Sequence, residues 1–268
     1  MNLSIVTPTL NAQKFLEQCL LSTLPFRVNS GTHLLVDSGS FDETLSLGLK
    51  HGVSSVYCPP GNMYHAINTG IRSTSSIWVT YINSDDLLYH GSIASAFECL
   101  SDDYDVIYGN IDYVDSEGRF LHHWLSATSQ TFGGLFSDSI MPFPQPGAFF
   151  RRSLWEKLGG FNECYKYSSD FDFFLRAFLA GARFGYFNGP PVAAFRLHSQ
   201  QISQNQAGIM RAEAEDALRS AGLGLNFFTK LISKMKMRNR NLFSYLVRTL
   251  RHRHLYGSWR FSKTISNR

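Results

Sequence analysis

Short runs rich in β-branched and aromatic residues recur along the first part of the chain, at Leu3–Thr7, His33–Val36, Ser54–Tyr57, Trp78–Ile82 and Val106–Tyr108. Stretches of helical period separate them. Phe15, Leu16, Cys19 and Leu20 share one helical face, and Met63, Ala66, Ile67, Gly70 and Ile71 share another. Strand and amphipathic helix in alternation predict βα units and a mainly parallel sheet. After Gly109 the rhythm changes to Ile111–Val114, a Ser116-Glu117-Gly118 turn and Phe120–Trp124, which reads as an antiparallel hairpin. Residues 126–146, rich in Ser, Gly, Pro and Phe, read as a long loop. From Gly208 the pattern is helical again, with Phe228, Leu231, Ile232 and Met235 on one face and Leu242, Phe243, Leu246, Val247 and Leu250 on the next.

Composition narrows this picture. A length of 268 residues, 44% apolar and 17% charged, fits one folded domain with an appendage, and no low-complexity tract suggests disorder. Cys19, Cys58, Cys99 and Cys164 lie far apart without CxxC spacing, which argues against a zinc site or a disulfide framework and suits a reducing compartment. The opening MNLSIVTPTLN lacks the basic-then-apolar layout of a secretory leader, so none is expected. No segment reaches the ~18 apolar residues of a membrane span. The expected location is the cytoplasm, with peripheral attachment to the inner face of a membrane as an option.

Charge divides the chain. Residues 225–268 contain eleven Lys and Arg and no acid, so the net +4 of the whole leaves −7 on residues 1–224. A helix with an apolar stripe and many basic residues fits an anionic membrane surface, or packs on the body with its charges solvated. Nucleic acid is not an expected partner, because the body is acidic and carries no reader motif. The expected domains are 1–205, catalytic, and 206–268, a basic amphipathic helical extension.

The chemistry concentrates where strands end. Tyr81-Ile82-Asn83-Ser84-Asp85-Asp86-Leu87 closes an apolar strand with adjacent carboxylates. Ligands of open α/β sheets bind beyond such ends, and a hard divalent cation takes one or two protein carboxylates beside phosphate oxygens. A solvated turn or a helix cap explains the same pair equally well. Val6-Thr7-Pro8-Thr9-Leu10-Asn11 and Leu35-Val36-Asp37-Ser38-Gly39 close two further strands at the same rim. No GxGxxG follows the first strand, which counts against a dinucleotide-dependent oxidoreductase.

With these residues in view, the chain resembles the family 2 glycosyltransferases. Eight motifs stand in order over roughly residues 1–203: SIVTPTLN leading into FLEQCLLS, LLVDSGSFDET, NMYHAINTGI, WVTYINSDDLLY, YGN, PGAFFRRSLWEKLGGFNE, SSDFDFFLRA and FRLHSQQIS. The resemblance implies a GT-A-type, Rossmann-like mixed α/β sheet, mainly parallel and flanked by helices, followed here by the C-terminal helical extension. It implies an inverting transfer of a sugar from a nucleotide diphosphate donor, by preference UDP-linked, to a hydroxyl of a polysaccharide or lipid-linked oligosaccharide. By the same resemblance Pro8, Thr9 and Asp37 hold the nucleobase. Asp85 and Asp86 hold ribose and metal-diphosphate, with Mn2+ or Mg2+ as the cation. Asp170 is the catalytic base, Arg196 a phosphate contact and His198 a metal contact. Asp172 and Arg176, four apart, read as a structural ion pair. Trp155, Gly159, Gly160 and Phe161 read as scaffold. Departures from the family pattern are Ser38 and His65, where many members have Asp, and Ser169, where Glu is commoner. A relative that kept the fold and lost turnover is the alternative.

Overall fold

The computed structural model describes residues 2–29, 31–201 and 205–256. Residues 202–203 of the last motif, and Arg260, Lys263 and Arg268 of the basic stretch, lie outside the described residues. In chain order the strands are Leu3–Thr9 (β1), Thr32–Asp37 (β2), Ser54–Tyr57 (β3), Trp78–Tyr81 (β4), Leu87–Leu88 (β5), Val106–Gly109 (β6), Ile111–Val114 (β7), Phe120–Trp124 (β8), Ala148–Arg151 (β9), Phe184–Phe187 (β10) and Ala193–Arg196 (β11). The helices are Gln13–Val28 (α1), Thr44–Lys50 (α2), Met63–Arg72 (α3), His90–Leu100 (α4), Phe132–Phe136 (α5), Arg152–Lys157 (α6), Ser169–Leu179 (α7), Ala207–Ala221 (α8), Phe227–Arg240 (α9) and Leu242–Tyr256 (α10).

One sheet has seven strands in the order β10-β6-β9-β4-β1-β2-β3. Its pairs are parallel except at β9, which runs antiparallel to both β4 and β6. A second sheet of four strands, β5-β11-β7-β8, contains the expected β7–β8 hairpin. Side chains alternate through the large sheet with the period of two that a strand imposes. Leu3 and Ile5 of β1 pack on one side with Cys19 and Phe26 of α1 and Phe97 of α4. Val6 points to the other side, into a core built from α3, α5 and α7. Gly70 permits α3 to lie close on the sheet: a Cβ there would stand 2.5 Å from Val6 Cγ1 and 2.7 Å from Val36 Cγ2.

Residues 126–146 differ from the loop expected of them. They fold into a short 3-10 turn and α5, and bury Phe132, Leu135, Phe136 and Phe143. The phenylalanines supply the reason: each buried ring is worth about 1.5–3 kcal/mol of apolar transfer and offsets part of the cost of ordering the Gly and Ser around it. The C-terminal helices also dock on the body. Glu213 of α8 accepts the backbone N–H groups of Lys166, Tyr167 and Ser168 at 2.8–2.9 Å. Ser233 of α9 sits where a Cβ on Gly134 would be, and Asn241 accepts the Leu125 N–H at 2.8 Å. No helix among the described residues is long and apolar enough to cross a membrane.

Candidate active site

The carboxyl ends of β1 and β4, the start of α3, the β8 end, the 140–146 segment and the residues after β11 enclose a cleft of about 920 Å³. Local sequence shapes its rim. Asn11, in the left-handed region at φ 51°, turns the chain from β1 into α1, and Asn among non-glycine residues tolerates that conformation well. Its Oδ1 accepts the Phe41 N–H at 3.1 Å, which ties the β1 turn to the β2 turn. Pro8, Thr9 and Ser38 line the cleft there. Asp37 does not; it is buried beneath and accepts N–H groups from Gly39 and Ser40 at 2.9 Å and the Thr9 hydroxyl at 3.0 Å. Burial alone would raise its pKa, but the hydrogen bonds from Ser40, Gly39 and Thr9 outweigh it and hold the carboxyl below the usual range. Asp37 therefore fixes the turn that presents Ser38.

At the end of β4 the adjacent carboxylates part company. Asp85 lines the cleft, and its Oδ2 lies 2.8 Å from His198 Nε2. Asp86 turns inward, is 1% exposed, and accepts the Arg196 N–H at 2.9 Å through Oδ1. Its Oδ2 is buried with no hydrogen-bond partner among the described residues. Burial first, and the neighbouring Asp85 charge second, raise the Asp86 pKa well above that of an ordinary carboxyl. Arg196 also departs from its expected place. It is fully buried and absent from the cleft wall; its guanidinium donates to the backbone oxygens of Asp85 at 2.7 Å and Ser116 at 3.2 Å and to Gln18 Oε1 at 2.6 Å. A planar fork of donors matches three fixed acceptors in a way a Lys could not. Arg196 thus holds the Asp85 backbone from behind the cleft wall. Phe15 packs on both groups, with ring centroids 4.8 Å from His198 and the Arg196 guanidinium 4.9 Å over its ring.

Among the described residues no cluster of three His, Cys, Asp or Glu side chains has metal-holding geometry. Asp85 and His198 nevertheless fit a divalent cation that completes its shell with phosphate oxygens: one carboxylate and one imidazole face each other on an open wall. Asp86, sealed behind them, is not placed as a direct ligand.

Asp170 lies in the first turn of α7 and lines the same cleft as Asp85. Its Oδ1 is 2.8 Å from the Phe171 N–H and 3.1 Å from the Tyr64 hydroxyl, which also lies 3.1 Å from the Tyr167 carbonyl. Burial raises its pKa to about 6, against the opposing pull of the Phe171 N–H and Tyr64. A carboxyl tuned near neutrality in a cleft is suited to exchange a proton with a bound hydroxyl. Asp172, two residues on, forms the expected pair with Arg176 at 2.7 Å. Trp155 and Phe161 are buried in the core, and Asn68 accepts the Trp155 Nε1–H at 3.3 Å.

The structure therefore brings Pro8, Thr9, Asp85, Asp170 and His198 together on one cleft and sets Asp37, Asp86 and Arg196 behind it. Other wall residues are not singled out by the sequence, Asn83 and Tyr64 among them. Asn83, two before Asp85, lines the cleft and could have been found by the same strand-end rule. Tyr64 could not, because its contact with Asp170 spans 106 positions of sequence.

Known proteins to which the chain is similar include glycosyltransferases. The PGL/p-HBAD biosynthesis glycosyltransferase of Mycobacterium tuberculosis is 25% identical over 224 residues, covering 76% of this chain and 77% of that protein. Staphylococcus aureus TarS 1-349, solved with UDP-GlcNAc, superposes with a TM-score of 0.62 at 16% identity over 95% of this chain and 73% of its own. Glucosyl-3-phosphoglycerate synthase of M. tuberculosis, solved with Mn2+, UDP and glucosyl-3-phosphoglycerate, gives 0.59 at 18% identity over 84% and 81%. The fold is that of the GT-A enzymes, as the resemblance implied. Residues 4–159, more than half of the chain, match the model of Glycosyl transferase family 2, and the chain belongs to that family.

Proposed function

We propose that the cleft transfers a sugar, with inversion, from a UDP-linked donor to a hydroxyl of a saccharide or lipid-linked saccharide acceptor. The observation that carries this reading is the presence of two carboxylates in different surroundings on one cleft: Asp85 beside His198, and Asp170 against Tyr64 with its own pKa raised to about 6. Asp170 takes the proton of the acceptor hydroxyl. The freed oxygen attacks the anomeric carbon, and the bond from that carbon to the diphosphate oxygen breaks with its electron pair leaving on the diphosphate. A single displacement inverts the centre. Pro8, Thr9 and Ser38, on a turn held by Asp37, form the wall for the nucleobase. Asp85 and His198 would hold Mn2+ or Mg2+, which when bound neutralises charge on the departing diphosphate. Asp86 and Arg196 act behind them as positioning residues. Solved neighbours that carry UDP or UDP-GlcNAc support UDP as the nucleotide.

Thermal shifts with a panel of UDP-sugars and Mn2+ test this reading. A saturating donor at 100 times its Kd stabilises by about 2.7 kcal/mol, and the shift should vanish with chelator. Absence of any shift across the panel would overturn the donor assignment. A shift without UDP release in the presence of acceptors would indicate the fold relative that has lost turnover.

The surface of α9 and α10 favours membrane contact as well. Phe227, Phe228, Leu242 and Phe243 are each about 70% exposed, beside Lys236, Arg238 and Arg251, in a stretch without acids. We infer that this face rests on an anionic bilayer. Pelleting with anionic vesicles and not with zwitterionic ones is the expected result.

A further inference from the structure

The same cleft has a second character away from Asp85 and His198. Of the six methionines in the chain, four, Met63, Met141, Met210 and Met237, line it. Trp124 and Ile140 join them. Each of these side chains is only partly buried, so an apolar surface faces the open cleft. A site that handled only saccharides would present hydroxyl-bonding groups there. Methionine is instead the side chain that adapts to apolar ligands of irregular outline, because it is unbranched and its sulfur is polarisable.

The methionines come from four separate parts of the chain, Met63 opening α3, and the structure shows what holds the other three. Met210 is on α8, whose carbonyl at that residue accepts the Ser168 hydroxyl at 2.8 Å, two residues before Asp170. Met237 is on α9, where the next turn ends in Asn241, fastened to Leu125 beside Trp124. Met141 belongs to the 126–146 segment, whose phenylalanines anchor it in the core. The C-terminal helices are thus a wall of the cleft as well as an appendage, and α8 brings its methionine up to the segment that carries Asp170.

We propose that this methionine-walled compartment binds the apolar portion of an amphiphilic acceptor, and so places the hydroxyl of its polar head at Asp170. This rests on the transferase reading above and selects within it: the acceptor class is a hydroxyl-bearing amphiphile with an aliphatic or aromatic body, in preference to a soluble polysaccharide. The exposed apolar face on α9 is continuous with this function, since the helix that contributes Met237 to the cleft also carries Phe228 and Ile232 outward.

The test is direct binding of methyl, hexyl, octyl and decyl β-D-glucosides, each below its micelle concentration, to the full chain loaded with Mn2+ and UDP. Burial of each methylene predicts affinity rising by roughly fourfold per carbon, levelling off when the compartment is full. Met210→Gln/Met237→Gln keeps the side-chain length and should flatten the series, and Met141→Gln alone should flatten it in part. Phe228→Ser/Ile232→Ser, on the outer face, should leave the slope intact. A flat series in the wild type overturns the proposal. So does a steep series that survives the methionine variants, or one that collapses only with the outer-face pair, because the chain then binds elsewhere. Turnover is not read in this assay. A steep, methionine-dependent series without sugar transfer would sustain the compartment and sink the transferase, whereas transfer with a flat series would do the reverse.

Discussion

Phenylalanines in the body and in the C-terminal helices meet opposite fates. Phe132, Phe136 and Phe143 are buried against one another and against Tyr108, while Phe227, Phe228 and Phe243 are exposed by 70%, 72% and 75%. Docking does not explain the difference, since α9 and α10 are both fastened to the body through Ser233 and Asn241. What separates the regions is the supply of partners. The body surrounds its rings with two layers of helix about a sheet, whereas α9 and α10 have one face on the body and, among the described residues, leave large apolar side chains of the other exposed. Exposed apolar side chains next to a one-signed charge field mark a surface completed by something outside the chain. On the proposed reading the body holds the chemistry, and the C-terminal helices carry the contact with the membrane.

Separating the two regions by mutation gives the largest expected effect at Asp170. Asp170→Asn should lower kcat by about 10²–10⁴-fold, the usual worth of a positioned base, while donor affinity and vesicle pelleting stay within about twofold of wild type. Initial rates beside donor titrations check this, and retention of a tenth or more of the activity would remove Asp170 from the role.

A smaller effect is expected on the other side of the comparison. Phe227→Ser/Phe228→Ser should weaken binding to anionic vesicles by on the order of tenfold, since each ring is only partly withdrawn from water at an interface and contributes a fraction of the full-burial value of about 1.5–3 kcal/mol. Turnover of a short-chain soluble acceptor should not change. Equal pelleting of variant and wild type would show that the face does not meet the membrane. Raised salt should weaken the wild-type interaction, as expected of Lys and Arg near a charged surface.

The smallest effect is graded with pH. Asp170 must be ionised to accept a proton, and burial raises its pKa to about 6, so kcat/KM should fall tenfold per unit below about pH 6 and level off above it. Activity that climbed on acidification would contradict this. The sign for stability is the reverse. Between an unfolded carboxyl pKa of about 3.9 and the raised folded value, the folded state binds the extra proton, so stability falls as pH rises through 6. Asp170→Asn should therefore melt no lower than wild type at pH 8.

Much of the fold was legible because the relevant signals are local. The period of two in β1 and the helical period of α3 follow from neighbouring residues, and the eight motifs are each made of short contiguous runs. Residues 126–146 were misread because local Gly, Ser and Pro outvoted phenylalanines whose burial depends on α7 and β10. In the site, strand-end position was enough to single out Asp85 and Pro8-Thr9. It could not divide Asp85 from Asp86, because which carboxyl faces the cleft depends on whether Arg196, 110 residues on, offers its N–H. The resemblance implied a phosphate contact for Arg196, and a local motif does not reveal that three backbone and amide oxygens already surround it.

By itself the sequence determined a mainly parallel α/β sheet, the family, the strand-end acids and a basic, acid-free end, since all of these are written in spacing and composition. Tertiary structure alone decided that Asp85 and His198 meet at 2.8 Å, that Asp86 and Arg196 are sealed behind them, and that methionines from four distant segments line one cleft with Asp170. Those outcomes depend on burial and on contacts between residues far apart in the chain, which no local pattern encodes.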